Sequence, residues 1–415
     1  MNSINISTNV ILKYVLYLFP IFIIIGNAAI NSAMLIVFLI YFLRCFNQKK
    51  IIFTETYEFK FFLYFYLYLL INSFLSEDIK SSLIRSVPYI KFFIFVFIYK
   101  NFIEEKKIDL KNLGLFWLIV ITILSLDIIY QSFFGFNIFN FSTAYTSRNS
   151  GLFFEELVAG GFLLSFIFIT IFLITKKTNY LYLYLYFTFC LVVIFLTGER
   201  ANFLKFTFIL ICVYYFSLKS RLTFKNLSLL TSALIILLLI SNFSNFKNRY
   251  LSTISFSSNN NLSLVDTYFT SEYGSHTVSS FLILKDNLFS GVGNKNFRNL
   301  CKNYKTEVIE IQRRIDTYAG QKYPSGCSTH PHQIYNEFLS EHGLFGTLIL
   351  FFLFFKLIFK NLSINKNSNL NLVCFYYLVA YFIPIIPSGS FFSTLTSTLF
   401  WINFMFYIVN IKKDD

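Results

Sequence analysis

Apolar runs of close to twenty residues recur along almost the whole chain, and most of the gaps between them are short and polar. A bilayer core of about 30 Å needs roughly 20 apolar residues in a helix. The runs lack the period-two alternation of a membrane strand, so helices carry the spans. The pattern predicts spans at 10–26, 27–44, 59–76, 84–103, 112–131, 156–175, 179–196, 201–217, 226–242, 343–360, 370–388 and 391–411. The expected fold is an all-α polytopic membrane protein of about twelve transmembrane helices. Residues 1–242 hold the first nine spans, 243–330 form a long loop containing short helices, and 331–415 hold the last three, all in one integrated membrane domain. The first run could pass for a signal peptide because Lys13 precedes an apolar stretch. With no small-residue cleavage site after it and a second span following at once, it reads as a retained helix.

Composition agrees with that pattern: 56% of the 415 residues are hydrophobic and 13% charged, outside the range of ordinary soluble domains. The net charge of +14 is mostly topological. Lys and Arg collect in alternate short gaps: Arg44, Lys49, Lys50 and Lys60, then Lys100, Lys106, Lys107 and Lys111, then Lys176 and Lys177. Lys219, Arg221 and Lys225 follow, then Lys360 and Lys366, then Lys412 and Lys413. The opposite gaps hold fewer, among them Lys80, Arg85, Arg148, Arg200 and Lys205. The positive-inside rule therefore places both termini in the cytoplasm, and the basic balance is no nucleic-acid footprint.

On this topology the one long gap, about 241–340, lies outside the cytoplasmic membrane, and a loop of that length in a compact protein is usually functional or disordered. Its Ser- and Asn-rich part, 252–264, reads as flexible. From His276 to Phe289 the residues Val278, Phe281, Leu282, Leu284, Leu288 and Phe289 recur at helical spacing, predicting an amphipathic helix near the membrane surface. Gly291 and Gly293 then supply a tight turn. Cys190, Cys212 and Cys374 in spans and Cys45 at a cytoplasmic end read as small buried residues. Cys301 and Cys327, the remaining two, lie in the outer segment, where an oxidising compartment permits a disulfide; two unpaired thiols are the alternative.

Three of the four histidines fall in STHPHQIYNEFLSEHGLFG, 328–346, and the fourth, His276, lies upstream in the same segment. Pro331 suits a first helical position, which would put His332 in the opening turn of a helix leading into the tenth span. The positive end of that helix disfavours imidazolium, so His332 is a candidate general base, whereas a bound anion would act the other way. A metal site built from His330, His332 and His342 competes with this reading, although Glu337 and Glu341 would have to turn inward to help. Polar capping of a helix end is a third reading. Arg200 in LTGERANF and Arg148 in YTSRNSGLFFEE sit at the outer interface, where guanidinium groups can clamp phosphate; each could also be a snorkelling residue. Arg298, beside the glycine turn, is a weaker candidate. Base and guanidinium groups together point to transfer from a diphosphate-linked donor. No Asp-x-Asp pair stands on the outer face to hold a metal, so arginine would stabilise the leaving charge, with no cofactor.

The histidine stretch resembles the O-antigen ligase and polymerase superfamily of bacterial membrane glycosyltransferases. That family's ligase pattern is His, then Ser, Asn or Gln, nine residues, Gly, two residues, and Gly, Thr or Tyr. His332 and Gln333, the nine residues Ile334 to His342, then Gly343 and Gly346 complete it. DIIYQSFFGFN, SRNSGLFFEELVAGGFL, TGERANF, GVGNKNF and FIPIIPSGS are similar to the family in order and topology, with a ligase-like core over about 150–360. The resemblance implies that a glycan on undecaprenyl diphosphate passes to an acceptor hydroxyl on the periplasmic face of the inner membrane. The acceptor is lipid A core in ligases and a growing glycan in polymerases. His332 takes the role of base and Arg200 that of diphosphate ligand, with Arg148, Arg298, His330 and Gln333 as further substrate-binding candidates. Many members carry a second arginine early in the long loop; here His276 stands nearest, and Arg249 or Arg298 could substitute. A lipid-linked glycan flippase or other transporter is the rival class, for which Lys13, Lys91 and Asp127 are the few mid-membrane polar candidates. The complete pattern favours ligase slightly over polymerase.

Overall fold

The computed structural model describes residues 2–48, 57–143, 145, 147–174, 180–218, 222–259, 263–315, 323–364 and 368–409. Lys49, Lys50, Lys176, Lys177, Lys219, Arg221, Lys366, Lys412 and Lys413, used above for orientation, lie outside the described residues. The described chain is helical, with no strand. Hydrocarbon offers backbone groups no partner, and helices satisfy their own, so the apolar pattern resolves as helices.

Among the described residues five helices are long and apolar enough to cross a membrane: Asn27–Asn47, Ile79–Glu104, Leu110–Phe134, Leu222–Asn242 and Ile334–Lys360. The first expected span is instead a pair, Thr8–Tyr17 and Phe19–Ile25, bent by 58°. Pro20, at the start of the second piece, lacks the N–H that would continue the first. Ala159–Ile174, Tyr180–Leu196, Asn369–Tyr381 and Thr394–Ile408 are shorter apolar helices. The expected span 370–388 stops at Tyr381, because Pro384 and Pro387 turn the following chain into an irregular loop. Asp78 and Asp109 cap helix starts through Ser81 N at 3.0 Å and Lys111 N at 2.9 Å.

With no hydrophobic drive between helices in lipid, side-chain packing and internal hydrogen bonds hold the bundle. Its centre is aromatic: Trp401 packs edge-on against Phe93 and Phe400, while its indole donates to Tyr89 Oη at 2.9 Å. Large apolar side chains such as Tyr182 and Phe216 face outward, as a lipid-facing surface requires.

At one end of the bundle several connections meet. Glu77 N donates to Val292 O at 3.3 Å, Asn149 N to Thr197 O at 3.2 Å, Arg249 Nε to Gly198 O at 3.0 Å and Ser388 N to His332 O at 2.8 Å. The long polar segment is thus stitched onto the loops around residues 77, 198 and 388, and the loop at 149 onto the turn at 197. Most of the segment's described residues are helical. The stretch expected to be flexible, 252–264, continues the helix Ser244–Asn259 as far as Asn259, and 260–262 lie outside the described residues. Cys301 and Cys327 are joined by a disulfide, with Cα atoms 5.1 Å apart, beside a small core of Ile283, Val292 and Phe297.

Candidate active site

The helix Glu272–Asp286 roofs this end. Its start is capped by Ser271, whose side chain accepts from Gly274 N. The expected amphipathic helix is present, and its orientation follows the residues at each position. Gly274, Ser275, His276, Thr277, Ser279, Ser280 and Ile283 face inward, while Phe281, Leu288 and Phe289 remain exposed. Small inward residues allow close approach to the histidine helix, Ile334–Ile364, where Asn336 Nδ2 donates to Thr277 Oγ1 at 2.8 Å.

That helix starts later than expected. Pro331 is not its first residue and His332 is not in its first turn. Gln333 is the cap instead: its Oε1 accepts from Asn336 N at 2.8 Å and its carbonyl from Glu337 N at 2.9 Å. His332 adopts φ 55°, a left-handed conformation that a β-carbon disfavours, and its carbonyl turns to Ser388 N. The chain therefore cannot be helical at 332. With its amide oxygen engaged in capping, Gln333 has a structural task at the place where substrate contact was expected.

Three of the four imidazoles come together. The His330 and His332 rings lie 4.0 Å apart and His276 and His332 5.1 Å apart, with Tyr273 at 6.1 Å from His332. His342 does not join them; it is fully buried among Tyr68, Phe338 and Phe392. Burial, and then His276, push His332 down to about 4. Burial also lowers His276, with Glu272 pulling the other way. His330 is lowered by burial, then by His332 and Lys295. All three rings are therefore neutral near pH 7, although the dipole effect expected of a first helical turn does not apply to His332.

The motif glycines have a geometric reason. The turn after the roof helix interlocks with a break in the histidine helix at Gly343, where φ is 66° and ψ −176°. Val292 N donates to Ser340 O, Gly293 N to Glu341 O and Leu344 N to Leu288 O, at 3.0, 2.8 and 2.8 Å. A β-carbon on Gly291 would stand 2.4 Å from Gly343 N, and one on Gly343 would stand 2.5 Å from Gly291 N. The two strands of backbone meet because neither residue has a side chain. Within this interlock, Lys295 reaches Glu337 at 3.5 Å and Glu341 accepts from Lys295 N at 2.7 Å. Glu337 and Glu341 do turn inward, toward a lysine and not toward the histidines. Among the described residues no three His, Cys, Asp or Glu side chains stand together as a metal site.

A second cluster forms around the turn 197–199. Gly198, at φ 69°, packs on the carbonyl of Ser147, and Glu199 Oε1 accepts from Gly160 N at 2.7 Å. Arg148 and Arg200, distant in sequence, are neighbours as a result. Arg249 of the helix Ser244–Asn259 joins them, and its guanidinium is lowered by burial, then by Arg200 and Arg148. Arg148 Nη2 donates to Leu157 O at 3.4 Å. Burial holds the Glu199 carboxyl above its ordinary range, with Arg148 opposing. Tyr273 interacts electrostatically with Arg249 and packs near His332, so it faces both clusters. Arg298 sits beside the disulfide, and among the described residues no hydrogen bond or ion pair connects its side chain to either cluster.

Arg249 and Lys295 are the residues that sequence reading undervalued. Arg249 stood only as a substitute because it lies before the Ser- and Asn-rich stretch. The available signal for Lys295 was a lysine inside a glycine turn facing two glutamates four apart on one helix face.

Residues 185–351 match the family model for O-antigen ligase. The match opens within the helix Tyr180–Leu196, ends in the histidine helix, and takes in Arg200, Arg249, His276, Lys295, His332 and Gly343. None of the curated proteins compared matches the chain.

Proposed function

We propose that this multi-pass helical protein, whose residues 185–351 match the family model for O-antigen ligase, transfers a glycan from undecaprenyl diphosphate to a sugar hydroxyl. The observation that carries the reading is the pairing of a neutral histidine cluster with an arginine cluster, with Tyr273 facing both. Arg148, Arg200 and Arg249 bind the donor's diphosphate, and Arg249 takes the role for which His276 was the nearest candidate. Clustered guanidinium groups repel one another, and an anion placed among them relieves that repulsion while offering bidentate acceptors.

His332 accepts the proton of the acceptor hydroxyl. The acceptor oxygen attacks the anomeric carbon in line, the bond from that carbon to the phosphate oxygen breaks, and the electron pair leaves with the diphosphate. Configuration inverts. The arginines stabilise the charge that develops on the leaving oxygen without needing a metal. His330 and His276 flank His332 and keep it dry.

On this reading the chain has about twelve spans, both termini are cytoplasmic and the site opens on the periplasmic face of the inner membrane. Lipid A core is the favoured acceptor, as in a ligase. A polymerase extending the glycan is the alternative within the same superfamily.

Deletion of the gene separates these outcomes. Lost surface glycan with accumulated lipid-linked polymer identifies a ligase, and a single repeat capping the core identifies a polymerase. Unchanged surface and lipid-linked glycan would remove both readings.

A further inference from the structure

The chemistry above leaves several buried charged groups unused, Lys295 among them. Lys295 is 5% exposed, and its ammonium contacts Glu337 Oε1 at 3.5 Å and Ser390 Oγ. Glu337, 1% exposed, has both oxygens engaged: Ser390 Oγ donates to Oε1, and Phe391 N donates to Oε2 at 2.8 Å. Lys295 itself has φ 68°, a strained conformation for a residue with a β-carbon, held by the bond from its N–H to Glu341. Three segments are tied together at this point: the glycine turn, the histidine helix and the loop 383–393.

Two of those segments also hold His332. The histidine helix begins two residues after it, and Ser388, which donates to its carbonyl, lies two residues before Ser390. A buried ion pair is on average no more stabilising than a well-packed apolar pair, so stability alone is a weak reason for its presence.

We propose that Lys295, Glu337 and Ser390 form a clasp that positions His332 by fixing both of its backbone supports at once. The inference rests on His332 as the proton acceptor. Lys295 and Glu337 are positioning residues and touch no substrate. The clasp also acts through charge. The groups facing His332 are Tyr273 and His276 from the roof helix and His330 from its own segment. His330 in turn feels Lys295 from the glycine turn and contacts Thr329 Oγ1 at 3.1 Å. Lys295 therefore adds to the burial that keeps His330 unprotonated.

The test uses the full-length protein in liposomes, with the Lys295→Met, Lys295→Arg and Glu337→Gln variants. A displacement of about 1 Å at a reacting group costs on the order of 10²-fold in rate. Lys295→Met and Glu337→Gln should each lower kcat by about that factor, leave donor KM within about twofold, and combine with no further loss because they act as one unit. Lys295→Arg should restore most of the rate. Independently of turnover, histidine NMR titration of Lys295→Met should move the His330 transition upward. Unchanged kcat, or a His330 titration that stays in place in a folded Lys295→Met protein, would overturn the clasp. A fall in kcat matched by equal losses in donor binding and unfolding temperature would also overturn it, reducing the trio to a structural role. Absence of glycan transfer in the wild-type protein alongside a shifted His330 titration would sink the functional reading and leave the clasp standing.

Discussion

The two halves of the candidate site balance charge in opposite ways. Around the turn 197–199, arginines gather and lean on backbone carbonyls, Arg249 on Gly198 and Arg148 on Leu157. Around the interlock, Lys295 meets buried carboxylates, and the imidazoles are neutral. A carbonyl orients a guanidinium without cancelling its charge, whereas a carboxylate cancels it. On the proposed reading the first region, three arginines beside a Glu199 carboxyl that burial holds above its ordinary range, receives an anion. The second is electrically settled before any ligand arrives, as a site must be if it is to hold a proton acceptor in one protonation state.

The comparison assigns turnover to the histidine side and donor affinity to the arginine side. His332→Ala should cost kcat about 10²–10⁴-fold, the usual range for a positioned base, with donor KM nearly constant. A rise in KM with kcat intact, measured in reconstituted membranes, would reverse the assignment. Arg249→Lys and Arg200→Lys should each weaken donor binding roughly tenfold, since lysine keeps charge but loses the fork. Equal donor affinity in Arg249→Lys would take that residue out of the site.

Removing the disulfide with Cys301→Ser and Cys327→Ser should lower stability by about 2–4 kcal/mol, read as a drop in unfolding temperature in detergent. The sign of the pH effect follows from His332. The neutral ring is the active form and its free-protein value is about 4, so kcat/KM should fall only as pH drops toward 4, well below the ordinary 6.5. A bound diphosphate favours imidazolium, so the acid limb of kcat should lie at higher pH than that of kcat/KM. Coincident limbs near 6.5 would mean that His332 is neither buried nor shielded in solution.

Much of this was legible in the sequence. The helical character of the chain and the places of its five long apolar helices followed from apolar length, because lipid permits one local solution to the backbone problem. The bend at Pro20 and the early stop at Tyr381 fell at prolines that a hydropathy window averages away. His332, Arg200 and Arg148 could be singled out because polar residues are sparse in a chain this apolar. The helix start at Ile334 was not legible. It depends on the partner that the His332 carbonyl finds at Ser388, more than fifty residues away. The same holds for Arg249, which reaches the cluster through a helix whose Ser- and Asn-rich sequence reads as loose. The family pattern located Gly343 without giving its reason, which is the backbone of Gly291.

Gly343 marks the point at which the histidine helix is clamped from both sides. Residues 334–345 are fastened to the glycine turn and the roof helix, Leu344 and Phe345 through the carbonyls of Leu288 and Phe289, while the chain beyond them is long and apolar enough to cross a bilayer. Changes in bilayer thickness are normally absorbed by tilting such a helix. Here a change of tilt is taken up beyond the clamped residues, away from a histidine cluster anchored from the side. The site is thereby insulated from the membrane that holds it, and turnover should vary little between thin and thick lipid bilayers.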